Sequence, residues 1–221
     1  MFDKDQVLAD LKELLRIPSI SAQSEHKGDI LKCAKWLNDY LTKIGLQSKI
    51  MQTDGHPVVY GEWLNAPGKP TILIYGHYDV QAPDPLDQWL SPPFEPTIRD
   101  GNLYARGMAD DKGQVFCHLV AIGTRLKAQG SKLPVNIKFL IEGEEEVGGT
   151  NLDGFIEANK DLLKADVCII SDSHALSPTQ PLLTYGLRGL VYAQIDISIM
   201  PRDVHSGSYG GAVANPGNVL C

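Results

Sequence analysis

Three short, largely apolar runs, Thr71 to Tyr75, Val135 to Ile141 and Val167 to Ile170, alternate along the chain with stretches whose apolar residues recur at helical spacing. No other feature constrains the fold as strongly. Such runs read as strands covered on both faces, and parallel neighbours need a crossover helix between them. The order strand, helix, strand, helix, strand predicts an α/β fold with a mostly parallel sheet and helices on both faces. In such folds ligands bind beyond the carboxyl ends of the strands.

Val7, Leu11, Leu14 and Leu15 predict a helix over about 4–16 ahead of Pro18. Ile30, Ala34, Leu37, Leu41 and Ile44 predict a second that stops at Gly45. Val115, Leu119, Ile122 and Leu126 give a third, ending near Gly130, and a short helix fits Leu152 to Asn159. A Pro- and Asp-rich loop is expected from Val80 to about Arg99. From Leu190 the pattern changes to Val-Tyr-Ala-Gln-Ile-Asp-Ile-Ser-Ile, an alternating strand that would open a second domain.

Composition narrows the function classes. With 221 residues the chain can bury one α/β domain, or one domain plus a fragment. No apolar run approaches the ~20 residues of a bilayer span, and the polar start lacks the features of a secretory signal, so the expected location is cytoplasmic with no membrane partner. Cys33, Cys117, Cys168 and Cys221 are far apart, three of them within apolar periodic segments, and read as reduced core thiols. A net charge of −7 argues against a nucleic-acid partner, because phosphate contacts need clustered Lys and Arg.

Polar residues collect where the strands end. His77 and Asp79 follow the first strand, a cluster of four glutamates from Glu142 to Glu146 follows the second, and Asp172 follows the third. Asp110-Asp111 precedes the third helix. Taken singly, a His-x-Asp can be a hydrogen-bonded turn, an Asp pair before a helix can be an N-cap, and a glutamate run can be solvated. Taken together they fall on the edge where such sheets place their chemistry. Converging carboxylates repel unless protonated or neutralised. One imidazole with several carboxylates suits a borderline divalent cation, Zn²⁺ first and Mn²⁺ or Co²⁺ as substitutes.

The stretches Tyr-Gly-His-Tyr-Asp-Val-Gln, Leu-Tyr-Ala-Arg-Gly-Met-Ala-Asp-Asp-Lys-Gly, Ile-Glu-Gly-Glu-Glu-Glu-Val-Gly-Gly, Ile-Ser-Asp-Ser, Tyr-Gly-Leu-Arg-Gly and Asp-Val-His-Ser-Gly-Ser-Tyr-Gly-Gly carry a resemblance over nearly the whole chain. They resemble the dinuclear-zinc family of aminoacylase, glutamate carboxypeptidase and the cytosolic dipeptidases, and most of all its dipeptidase and carnosinase branch. The resemblance implies that His77, Asp110 and Asp172 hold a first zinc, and that Asp110 bridges to a second zinc bound by Glu146. It makes Asp79 the carboxylate that fixes the tautomer of the ligating imidazole and Glu145 the general base. In that scheme two zincs acidify a water, and Glu145 takes its proton and returns it to the leaving amine of a dipeptide or short peptide. The resemblance also implies a cis peptide between Asp110 and Asp111, and it makes His205 the stabiliser of the oxyanion across a homodimer. Glu142 and Glu144 receive no assignment and are expected to be supporting or solvated. Arg188 receives no catalytic role, and His26, His56, His118 and His174 are expected to be structural or exposed.

In the family the catalytic domain resumes after a lid and supplies a last histidine to the second zinc. By that pattern residues 1–186 are the N-terminal part of a catalytic domain and 187–221 the start of an α+β lid or dimerisation domain. The chain alone would then lack one ligand and be inactive. The expected function is metal-dependent dipeptide hydrolysis. N-acyl amino acid deacylation or carboxypeptidase action on the same site is one alternative, and a catalytically silent metal-binding module is the other.

Overall fold

The computed structural model describes residues 3–128, 130, 132–177, 179–180 and 182–221. They form two compact units, one reaching residue 174 and one beginning at residue 175. In the first unit, α1 (Lys4–Leu15) and α2 (Lys27–Lys43) precede β1 (Gln47–Met51), β2 (Val58–Trp63) and β3 (Thr71–His77). A small hairpin, β4 (Thr97–Arg99) and β5 (Asn102–Tyr104), leads to α3 (Lys112–Ala128) and β6 (Asn136–Glu142). The short helices α4 (Leu152–Ala158) and α5 (Lys160–Leu163) are followed by β7 (Val167–Ile170).

Five strands form one sheet in the order β1-β2-β6-β3-β7. β3 is parallel to β6 and to β7, whereas β2 is antiparallel to both β6 and β1, so β2 alone runs against the other four. The mostly parallel sheet is therefore present, with β1 and β2 as additions that the long apolar runs do not announce.

Alternation along the strands builds two cores. Ile72 and Ile74 of β3 and Ile137, Phe139 and Ile141 of β6 point to one face, against Leu14 of α1, Ile30, Leu37 and Leu41 of α2 and Phe116 and Leu119 of α3. Leu73 and Leu140 point to the other, against Phe155 of α4 and Leu163 of α5. Both faces are thus covered by amphipathic helices, as a fully buried strand requires. Asp3 caps α1 by accepting from Gln6 N at 3.1 Å, and α2 gives way to Gly45 in the left-handed region (φ 101°).

Two contacts fix the start of α3, where the Asp110-Asp111 pair sits. Lys112 is buried and its Nζ donates to Ile17 O at 2.7 Å, tying α3 to the chain just beyond α1. Gly76 lets α3 approach β3: a Cβ there would lie 2.4 Å from Val115 Cγ2 and 2.5 Å from Asp111 Oδ2.

Two expectations are corrected. Only Cys33 is a core thiol; Cys117, Cys168 and Cys221 are exposed. Cys168 lies on β7, an edge strand whose Val167 and Ile170 are also exposed, so an apolar run there does not mean burial on both faces. In the second unit the alternating segment after Leu190 is not a strand, and Val191, Tyr192 and Ile195 are exposed. Alternation marks a strand only where a neighbour completes the hydrogen-bond ladder, and among the described residues none pairs with this segment. That unit holds the short helices α6 (Ser206–Tyr209) and α7 (Pro216–Leu220). No helix among the described residues is long and apolar enough to cross a membrane.

Candidate metal centre

Register brings the strand ends together. In the parallel pairing of β3 with β6, His77 stands opposite Glu142, and pairing of β3 with β7 ends at Tyr75 opposite Ile170. The residues that leave these strands, His77 to Asp79, Gly143 to Glu146 and Ser171 to Asp172, emerge on one edge. The Asp110-Asp111 peptide, which is cis, joins them from the start of α3.

His77 is the centre of the group and is fully buried. Its Nε2 lies 3.0 Å from Asp110 Oδ1 and 3.6 Å from Asp172 Oδ2. Its Nδ1 faces Asp79, 3.1 Å from the carbonyl oxygen and 3.3 Å from Oδ1. Asp79 also accepts from the backbone N–H of Glu145 at 3.3 Å and of Glu146 at 3.1 Å. One buried carboxylate thus orients the ring and holds the turn (Glu145–Val147) that carries both glutamates.

Two overlapping sets of side chains stand within reach of a shared ion: His77, Glu145 and Asp172, and His77, Asp110 and Glu146. In each, one ligand atom per residue lies within 4.8 Å of the others. An imidazole with carboxylates and no sulfur fits a borderline divalent cation such as Zn²⁺. The geometry places Glu145 within ligand reach as well as Glu146. They differ in their partners: Gln81 Nε2 donates to Glu146 Oε2 at 2.8 Å, while the exposed Glu145 carboxylate has no recorded hydrogen bond among the described residues.

The charges explain each other. Burial works against a charged His77 ring, but Asp79, then Asp111 and Asp110, outweigh it and push its pKa up to about 10. Burial raises Glu145, Glu146 and Asp172 above the ordinary carboxylate range, and neighbouring carboxylates add to the effect. A site this rich in carboxylates, with one imidazole to balance them, favours any bound cation over bare charge.

One group here escaped the sequence reading. Asp111 is buried; its Oδ2 accepts from His77 N at 3.2 Å and its Oδ1 has no hydrogen-bond partner. Glu142, expected to be supporting or solvated, is buried and accepts from the Tyr75 hydroxyl. Glu144 accepts from Asn151 Nδ2 at 2.9 Å. The one available signal was Gly76 inside an apolar strand, which marks a close approach without naming the group that approaches.

His205 lies in the second unit, exposed, as the N-cap of α6, where its Nδ1 accepts from Gly207 N at 3.0 Å. His26 pairs with Asp29 at 2.8 Å, and His174 is exposed.

Comparison with known proteins bears on the family. The sequence profile of peptidase family M20/M25/M40 matches residues 73–203. The chain is 37% identical to the Cys-Gly metallodipeptidase dug1 of Schizosaccharomyces pombe, over 96% of this chain and 47% of that protein. It is 35% identical to the human Beta-Ala-His dipeptidase, over 96% of this chain and 45% of that protein. The solved structure of the di-peptidase Dug1p from Saccharomyces cerevisiae superimposes with a TM-score of 0.80 at 30% identity, covering 98% of this chain and 48% of that one. The chain spans about half the length of the curated relatives it matches. With the profile matched across His77, Asp110, Glu145, Glu146 and Asp172, the chain belongs to peptidase family M20/M25/M40.

Proposed function

We propose that the protein is a metal-dependent hydrolase of dipeptides or short peptides, and that the chain carries the first-metal site and the general base. One observation carries the reading: the convergence of His77, Asp110, Glu145, Glu146 and Asp172 at the carboxyl edge of β3, β6 and β7. The relatives named as dipeptidases support the substrate class.

In this reading His77, Asp110 and Asp172 hold one Zn²⁺, and Asp110 with Glu146 contribute to a second. Mn²⁺ or Co²⁺ are substitutes. A bound divalent cation supplies Lewis acidity to the attacking water and the scissile carbonyl. Asp79 accepts the Nδ1 proton of His77, so that Nε2 is free to ligate. Glu145 is the base because its carboxylate is uncommitted, whereas Glu146 is tethered by Gln81. Burial raises its pKa above the ordinary carboxylate value, the direction that favours a base. It takes the proton of the water and returns it to the leaving amine. His205 is assigned to the oxyanion, across a homodimer, on the strength of its Asp-Val-His-Ser-Gly motif alone. Residues 1–186 belong to the catalytic domain in this reading, and 187–221 begin the lid.

Glu145→Gln in the full-length protein is the test. It keeps the shape but cannot accept the proton, so dipeptide hydrolysis should fall by about 10²–10⁴-fold while bound metal is retained. A rate within about tenfold of the parent would remove Glu145 as the base.

A further inference from the structure

Asp172 is lightly held. β7 is an edge strand, and its ladder to β3 ends at Ile170, so Ser171 and Asp172 run beyond the last backbone pair. The Asp172 carboxylate is 3.6 Å from His77 Nε2, outside hydrogen-bonding distance, and is partly exposed. Among the described residues the turn has two recorded hydrogen bonds. Ser173 N donates to Ser171 O at 2.7 Å, which is internal to the turn. The other joins the Ser171 hydroxyl to His118 Nε2, also at 2.7 Å, and is the one that reaches another element.

His118 sits on α3, seven residues after Asp111, so the two lie two turns apart on the same face of one rod. The helix that presents Asp110-Asp111 at its start therefore also reaches the turn that presents Asp172. His118 itself belongs to neither set of side chains within reach of a shared ion. It is half-buried, and burial holds its pKa below the ordinary imidazole value. A hydroxyl both donates and accepts, so the neutral ring serves in either tautomer.

We infer that His118 is a positioning residue for the metal centre: through its hydrogen bond to Ser171 it fixes the Ser171-Asp172 turn, and so sets the direction from which the Asp172 carboxylate meets an ion on His77. The inference rests on the proposed metal reading. A ligand whose support is removed must be ordered by the ion itself, and loss of such supporting partners costs roughly 10–100-fold in metal affinity.

The test is titration of the chelator-treated chain with Zn²⁺ and with Co²⁺, the latter followed by visible absorption. His118→Phe keeps a ring and removes the hydrogen bond. It should weaken the first ion by about 10–100-fold and change the Co²⁺ spectrum. Ser171→Ala should do the same, and the double variant should lose no more than either single one, since both break one link. His118→Gln places an amide near the position of Nε2 and should restore both affinity and spectrum. Asp172→Ala sets the full loss. Parent-like affinity and spectrum in His118→Phe and Ser171→Ala, with Asp172→Ala impaired, would overturn the positioning role. Parent-like binding in Asp172→Ala would instead overturn the metal reading beneath it. Ser171→Ala leaves α3 untouched and decides the matter if His118→Phe does not fold.

Discussion

The carboxylate of Asp79 lies 3.3 Å from Nδ1 of His77, with both side chains fully buried. Its two oxygens also receive the backbone N–H groups of Glu145 and Glu146, so a single side chain couples the imidazole to the turn that carries the candidate base. Asp79→Asn keeps the volume but offers one acceptor oxygen in place of two and a neutral partner to the ring. We expect the first divalent ion to bind about 10–100-fold more weakly, with the fold retained. A chelator-competition titration beside a thermal melt checks this; unchanged affinity would mean that Asp79 does not orient the ligand.

Proton and metal compete for His77. The metal-free ring is held charged up to about pH 10, chiefly by Asp79 against the opposing effect of burial. Ligation needs the neutral nitrogen, so uptake releases a proton and the apparent affinity should rise by about tenfold per pH unit between about pH 6 and 8. Calorimetry in buffers of different ionisation enthalpy counts that proton. The stability of the metal-free fold moves the other way. Charged His77 contributes stability below its ordinary value of 6.5, and this is lost as pH rises through about 10. Burial pushes Asp111 up to about 7 from 3.8, so its ionisation costs nothing below about 4 and its full amount above about 7. Together, Asp111 over about pH 4–7 and His77 over about pH 6.5–10, they predict a Tm that falls as pH rises in chelator and recovers with metal. A Tm that instead rises over that window would contradict both.

The three parallel strands and their crossover helices were legible because burial on both faces leaves an apolar run that nothing else in a soluble chain needs. β1 and β2 were missed because β1 lies at the edge with a half-exposed pattern and β2 is interrupted by Gly61 and Glu62. The β4–β5 hairpin carries its own signal in Asp100-Gly101, which joins its strands with φ of 49° and 77° at the two positions, the preference of a two-residue turn. At the site, His77, Asp79, Asp110, Glu145, Glu146 and Asp172 stand together within the first unit; His205 belongs to the second unit. Asp111 and His118 were illegible for a physical reason, since their roles come from burial and from one long-range hydrogen bond, neither of which leaves a spacing in the sequence.

Close approach of α3 to β3 depends on a missing side chain. At Gly76→Ala the new methyl would meet Val115 Cγ2 at 2.4 Å and Asp111 Oδ2 at 2.5 Å, so the Val115 and Asp111 side chains must shift to admit it. We expect a loss of about 1–3 kcal/mol in stability, together with weaker metal uptake. Denaturant melts and the same titration measure the two effects. A variant as stable as the parent would show that α3 has room to shift.

The two candidate ligand sets share one imidazole. His77 appears in both; its Nε2 is the atom that faces Asp110 and Asp172, while Nδ1 is committed to Asp79. A ring nitrogen ligates one cation, so among the described residues the second position is left with the carboxylates of Asp110 and Glu146. Carboxylates alone hold a borderline cation less tightly and less selectively than a mixed set of nitrogen and oxygen. We therefore expect chelator-treated chain to take up one tight Zn²⁺ per polypeptide, to lose it in His77→Ala combined with Asp172→Ala, and to show a second uptake that Mg²⁺ or Ca²⁺ displaces readily. Metal analysis after gel filtration, beside calorimetric stoichiometry, reads this directly. Two tight zincs per chain would require another nitrogen ligand, and His174, exposed and two residues from Asp172, is the first to replace.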